Sequence, residues 1–332
     1  RMINMEPFSL NTILMVFGGG IVGTALGGLW AIILCALLGL IGCGILLTGG
    51  SDFVLAQIAF GPIFGPHTGG FGAGLMAGCY AVWKKNHPGG SAKDILSPLL
   101  HTSGDVLVVG GLLSVAAHLL LQVVVKIPIV NQSDGIAVTL VVMTLLTRLV
   151  FQKEGPLGQS ASIKEHGLFG TNNYAISWAG WQSPMGKNIP ISFGIGLLSA
   201  GLAWGFKTQL DPLVAARQVT GLGGFLAPLV IGWILCILIL IPLLVSTGTI
   251  QQMPIMHCMA IIGAWTFMYT GSILAAGIAG VIAGIVQEVS ARLFYNHGTI
   301  HIDPPAVAIA ICTLLVNLLM KPEFLNMAAL FK

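Results

Sequence analysis

Long apolar runs dominate this chain, with little alternation of apolar and polar residues. The run at 231–245, for example, contains no charged residue. A helix needs about 20 mostly apolar residues to cross the hydrocarbon of a bilayer, whereas a membrane-spanning strand shows about ten residues of alternating character. The pattern therefore predicts an all-α fold, a polytopic transmembrane helix bundle.

Glycine, proline and charged clusters divide the chain into about ten crossings. The predicted helices cover about 10–27, 29–48, 104–125, 135–152, 190–206, 219–246 and 304–320, with a broken span at 51–83 and two helices within 249–292. We expect a first transmembrane half at 1–150, a polar connecting loop at 151–189 and a second transmembrane half at 190–332. The connecting loop is either a surface loop or a segment that folds back over a solute pathway.

Two short polar stretches predict a two-fold internal repeat. Both NHPGGSAKDILSP, from Asn86, and NHGTIHIDPP, from Asn296, follow a helix rich in glycine and alanine. The span count puts both on the same side of the membrane, which favours a parallel repeat over an inverted one. Coincidence between two short loops is the alternative.

Composition places the protein in a membrane. Only 8% of the residues are charged, against about 25% in soluble domains, so the lipid bilayer is the expected partner and the bacterial cytoplasmic membrane the expected location. The formal net charge of +3 is scattered, and this distribution does not suggest nucleic-acid binding. Eight basic residues fall on the side of the 84–103 and 153–189 loops and five on the other, which favours a cytoplasmic location for these loops.

The segment GPIFGPHTGG, residues 61–70, interrupts an apolar stretch. Two prolines and four glycines within it cannot continue a regular helix. Irregular backbone at membrane depth is tolerated only inside protein or beside water. The segment therefore predicts a discontinuous or re-entrant element that can coordinate a solute, with an ordinary surface turn as the alternative.

Polar residues inside apolar spans are candidates for a solute pathway, because they are costly in lipid and usually face a partner or a cavity. The candidates are His67, Thr68, Asp52, Gln57, Asp105, His118 and His257. A hydrogen-bonded structural role for His118 and a helix N-cap role for Asp105 remain open.

A second set lies in the two Asn-His loops and would form a gate: His87, Asp94, His297 and Asp303. The His-x-Asp spacing at 301–303 is too short a signal for a metal site, so we expect no metal and no cofactor. Glu288 and Arg292 are spaced to form a structural ion pair on one helix.

These observations favour a transporter or channel for a small polar solute, neutral or weakly acidic. An intramembrane enzyme would need a motif such as HExxH or GxSxG, and the sequence contains none, so we do not expect an enzyme. A membrane subunit of a larger complex is the other alternative. Faces of small residues also allow a homo-oligomer.

Overall fold

The computed structural model describes residues 6–170, 176–245 and 253–331. Within these ranges the chain is helical and contains no strands. Six helical segments are long and apolar enough to cross a membrane by length and composition. A polytopic helical membrane bundle is therefore the architecture that the described residues support.

Most helices begin and end close to the predicted positions, although the helix predicted at 190–206 is longer at both ends. Their bounds are α1 Leu10–Leu26, α2 Gly28–Leu47, α3 Gly72–Trp83, α4 Gly104–Val124, α5 Gly135–Thr147, α6 Ser160–His166, α7 Met185–Ala215, α8 Gly221–Leu238, α9 Pro242–Val245, α10 His257–Thr270, α11 Ile273–Ser290 and α12 Pro304–Met320. Five-residue π-helical ends at 148–152 and 291–295 extend α5 and α11. Gly27 alone joins α1 to α2, with a φ of 80° that a side chain would strain.

The broken span is discontinuous rather than re-entrant. A π-helical turn, Val54–Ala59, is followed by irregular backbone at 60–71 and then by α3. Ile63 lies against Gly19, Gly69 against Gly23, and Gly74 against Gly27 and Gly28. The segment therefore rises beside α1 in the same direction, without turning back.

Two pairs of antiparallel helices approach closely through small residues. In one pair, Gly20 of α1 contacts Ser114 of α4. In the other, Gly196 of α7 contacts the backbone of α11 at Ala276 and Gly277. Small side chains allow such close backbone contact in lipid, so each half is built around one tight pair.

The halves meet through two further antiparallel pairs. Helix α2 packs on α8, where Gly39 contacts Ile234. Helix α5 packs on α12, where the Asp134 N–H donates to Thr313 Oγ1 at 2.8 Å. The main apolar core lies along α2, α8 and α10, so the interior of the bundle runs between the two halves.

One end of the bundle, here called the loop end, carries the segments 84–103, 153–170, 176–184 and 296–303. Arg148 is fully buried there, and its guanidinium donates to Pro156 O at 2.8 Å and to Phe294 O at 2.6 Å. Lys93 Nζ donates to Asn296 O at 3.0 Å. The pKa of Lys93 is lowered to about 8, mainly because the buried ammonium loses water and also because the Arg148 charge lies nearby. These contacts, the loop-end clasp, tie the first half to the second.

Candidate functional site

A cavity of about 330 Å³ lies between the halves. Helix α8 forms the largest share of its wall, and α2, the broken span, α5, α10, α12 and several loop residues contribute the rest. Most lining residues are apolar. A concave, mainly apolar cavity with a few convergent polar groups is the usual form of a small-molecule site.

Four ionisable side chains stand in this wall: Asp134, His257, His301 and Asp303. No lysine or arginine is among the lining residues of the described chain. The cavity therefore offers carboxylate and imidazole groups to a bound molecule and no permanent cation.

Asp303 and His301 form a linked pair at the start of α12. Asp303 is the N-cap of this helix, and its Oδ2 accepts from Ala306 N at 3.0 Å. Its Oδ1 lies 3.2 Å from His301 Nε2. The backbone N–H of His301 donates to the Ala92 carbonyl at 3.0 Å. A loop of the first half therefore positions a site residue of the second.

Asp134 has the matching role at the start of α5. Its Oδ1 accepts from Ala137 N at 2.9 Å. Aspartate suits the N-cap because its oxygen satisfies a free N–H and meets the positive end of the helix dipole. Two helix N-termini, one from each half, thus bring a carboxylate to the cavity.

Aromatic rings surround the histidines. The His301 ring lies edge-on to Phe71 at 6.1 Å and to Tyr295 at 5.2 Å between centroids. Trp178 contacts Tyr295 and lines the cavity. Trp178 belongs to the connecting loop, of which residues 171–175 lie outside the described part. This loop therefore contributes to the cavity wall at the loop end.

His257 is the first residue of α10 and is almost fully buried. Its ring stands edge-on to Trp233, with centroids 6.2 Å apart. Within the described chain, the Nδ1 atoms of His257 and His301 have no hydrogen-bond partner. Such buried groups cost free energy unless something pairs with them.

Of the residues predicted from sequence, His257 and Asp303 lie in the cavity wall. In the broken span, Pro66 lines the cavity, whereas His67 and Thr68 are buried beside it. Both His67 ring nitrogens lack partners among the described residues. Thr68 Oγ1 donates to Pro62 O and Gly65 O, each at 3.2 Å.

The other predicted pathway residues lie away from the cavity. Asp52 accepts from Thr220 Oγ1 at the end opposite the loop end, and Gln57 lies in the π-helical turn. His118 Nε2 lies 2.8 Å from Pro7 O. Asp105 pairs with Lys84 at 2.5 Å on the loop end. The N-cap role expected for Asp105 is wrong, because Ser103 is the N-cap of α4.

The predicted gate residues other than Asp303 form hydrogen bonds within the loop-end segments. His87 Nδ1 accepts from Gly89 N, and the Asp94 carboxylate accepts from Leu96 N and Ser97 N. His297 bonds Ser162 and the Leu168 carbonyl. Among the described residues, no cluster of three or more histidine, cysteine, aspartate or glutamate side chains could hold a metal ion.

The sequence did not single out Asp134 or Trp178, and it indicated His301 only as a loop neighbour of Asp303. The Ser-Asp-Gly sequence before α5 carried an N-cap signal for Asp134. Nothing local in the sequence indicated that this cap would lie beside α12. The site depends on contacts between the halves, which a local pattern does not encode.

Comparison with known proteins shows a family. The chain belongs to a family of unknown function, DUF7973, whose model matches residues 2–162 and 219–331. The match includes the cavity residues Asp134, His257, His301 and Asp303, while Trp178 lies between its two parts. No curated protein and no solved structure matches the chain.

Proposed function

We propose that this protein is a multi-pass membrane transporter that carries a small solute through the cavity between its halves. The observation that carries the proposal is the cavity itself: two carboxylates at helix N-termini, one from each half, stand in a mostly apolar wall. Solute sites at the interface of two halves, built from helix ends, are a feature of many secondary transporters.

The helix packing supports about ten crossings. Beyond the six long helical segments, α1, α12, α10 and the broken span would each cross the bilayer beside a longer neighbour. A shorter apolar segment can cross where the bilayer thins or other helices cover its ends. The chain would then cross five times in each half.

The packing order supports an inverted repeat in place of the parallel one expected from the Asn-His loops. The tight pair α1 and α4 corresponds to α7 and α11, and α3 corresponds to α10. Corresponding helices run in opposite directions, and α2–α8 and α5–α12 pair across the proposed axis. The loop from Asn86 follows the third crossing of its half, and the loop from Asn296 follows the fourth, so these loops do not correspond.

Inverted repeats suggest how transport would proceed. Each half can adopt the conformation of the other, which exchanges access between the two sides of the membrane. In the present conformation Trp178 and Ile95 line the cavity at the loop end. A second cavity at the other end, lined by Gly49 and Thr220, adjoins Leu222 of the central one. We therefore infer access from the end opposite the clasp.

The expected location is the bacterial cytoplasmic membrane, with the loop end in the cytoplasm. This orientation follows from the excess of lysine and arginine in the loop-end segments. The carrier would then be open to the outside in the present conformation.

Uptake into reconstituted vesicles tests the proposal. Vesicles with the full chain are mixed with a broad metabolite panel, and their contents are analysed by mass spectrometry. We expect at least one solute to accumulate, and Asp303→Asn to reduce that uptake at least tenfold. Asp211→Asn, which alters an exposed pair with Lys207, is the matched control. Folded protein that accumulates nothing from the panel would contradict a transporter role.

A further inference from the structure

The charges of the cavity restrict what it can bind. Its wall contains two carboxylates and two imidazoles, and no lysine or arginine among the described lining residues. An anionic solute would lose its water and meet these carboxylates without a permanent counter-charge, which is strongly unfavourable. The wall therefore disfavours a carboxylate or phosphate as the solute.

The two polar side chains at the start of α12, His301 and Asp303, present hydrogen-bond acceptors. The Asp303 carboxylate can only accept, so the 3.2 Å contact places the hydrogen on His301 Nε2. A neutral imidazole that donates at Nε2 has an acceptor at Nδ1, and this atom has no partner in the described chain. The Asp303 carboxylate lines the cavity and its side chain is 9% exposed, so it can pair with a ligand that brings hydrogen-bond donors.

Aromatic rings add a second preference. Phe60, Phe71, Trp178 and Trp233 all line the cavity. Aromatic faces attract ammonium groups through their quadrupoles, most strongly where water is excluded. Rings and carboxylates in one wall favour a cation over a neutral donor.

The size of the cavity limits the solute further. A volume of about 330 Å³ is at the lower end of the range of about 300–1,000 Å³ for small-molecule sites. Asp134 is level with Thr313, about 15 Å along α12 from Asp303 at 1.5 Å per residue. A molecule of this size would therefore place one charged group beside one of the carboxylates and leave the rest against apolar side chains.

We propose that the cavity binds a small organic ammonium ion: one protonated amine, held beside Asp303 and His301, on a small apolar body. This inference rests on the proposed transporter function for its biological meaning, and it names the class of solute. It replaces the neutral or weakly acidic solute that the sequence suggested.

Three probes of one shape test the charge preference: 2-phenylethylamine, 2-phenylethanol and phenylacetate. Each is titrated against the detergent-purified full chain, and the thermal midpoint is followed, since a ligand of the folded state raises it. We expect the amine to bind at least tenfold more tightly than the alcohol or the carboxylate. Equal or tighter binding of either of these, or binding of none of the three, would overturn the proposal.

Two variants locate the site. Asp303→Asn keeps the N-cap of α12, because asparagine caps as well as aspartate, but it removes the charge. We expect it to weaken amine binding at least tenfold without changing the weak binding of the alcohol, while Asp211→Asn leaves both unchanged. Trp178→Leu should weaken the amine about 2- to 30-fold, the range that a cation–π contact allows. Full affinity in Asp303→Asn would overturn the assignment.

Different results would contradict the ammonium site and the transporter role. Vesicle uptake of a carboxylate that competes with the amine probe would overturn the ammonium site and leave the transporter. Tight amine binding without uptake of any amine would keep the site and remove the transport role. If Asp303→Asn does not fold, the three-probe comparison on the unaltered chain still decides the question.

Discussion

The broken span of the first half and helix α10 of the second lie in the same place in their bundles but differ in backbone. Each packs beside the tight helix pair of its own half, α1 with α4 or α7 with α11. The broken span has irregular backbone at 60–71, whereas α10 is continuous from His257 to Thr270. Similar packing environments therefore accommodate two different backbones.

The difference lies in what faces each segment. The irregular backbone presents the Gly69 carbonyl directly to Gly23 of α1. Helix α10 has the regular hydrogen bonds of a helix and meets Gly196 of α7 through Gly263, and its Ala260 carbonyl also accepts from Ser199 Oγ of α7 at 2.6 Å. The break is thus stabilised by close backbone contact with a neighbour, and α10 by its internal hydrogen bonds.

The largest effect should come from Gly23→Ala. The added Cβ would overlap the carbonyl of Gly69, which is backbone and cannot rotate away. Overpacking of this kind costs typically about 1–3 kcal/mol and at times more. We expect a clearly lower thermal midpoint in detergent, or loss of folded protein.

Gly18→Ala on the same helix is the control. A Cβ there meets nothing within 4 Å, and alanine gains up to about 1 kcal/mol of helix propensity over glycine. Its midpoint should stay unchanged or rise. A midpoint for Gly23→Ala no lower than that of Gly18→Ala would show that the break does not depend on contact with α1.

A smaller effect should distinguish two buried threonines, one from each segment. Thr68 Oγ1 donates to two carbonyls of the break, while Thr266 Oγ1 in α10 has no partner among the described residues. Thr68→Val should lower the midpoint, since the single hydroxyl hydrogen that these two carbonyls share is lost, at a cost of about 1 kcal/mol. Thr266→Val should be neutral or stabilising, because valine has nearly the shape of threonine and lacks the unsatisfied hydroxyl. The reverse order would contradict the comparison.

Much of the helical framework was predictable because its signals are local. Apolar runs and glycines set the ends of α1, α2 and α4, and the prolines near His67 marked the break. Spacing alone also predicted the Glu288–Arg292 ion pair, whose atoms lie 2.8 Å apart. Each of these features depends on residues that are near neighbours in the chain.

The site was only partly predictable, because it depends on which side of the backbone each side chain lies and on contacts between the halves. The sequence indicated the depth of His67 and Gln57 in the bundle, but not that their neighbours Pro66 and Ala56 line the cavity instead. His301 lies in the wall because its backbone N–H donates to the carbonyl of Ala92, which is far away in sequence. Such contacts follow from the packed structure and have no local signal.

The smallest expected effect is a difference in amine affinity between variants of the two histidines, one from each segment. His67 and His257 are both buried with unpartnered nitrogens, but only His257 lines the cavity. His67→Leu should therefore change amine affinity by less than about twofold, and stability little, because the ring has no hydrogen bond to lose. His257→Leu should weaken the amine several-fold by removing a polar group from the wall. Titration of both variants with 2-phenylethylamine decides. A greater loss in His67→Leu would mean that the broken span, rather than the start of α10, contacts the solute, and that the solute passes beside α1.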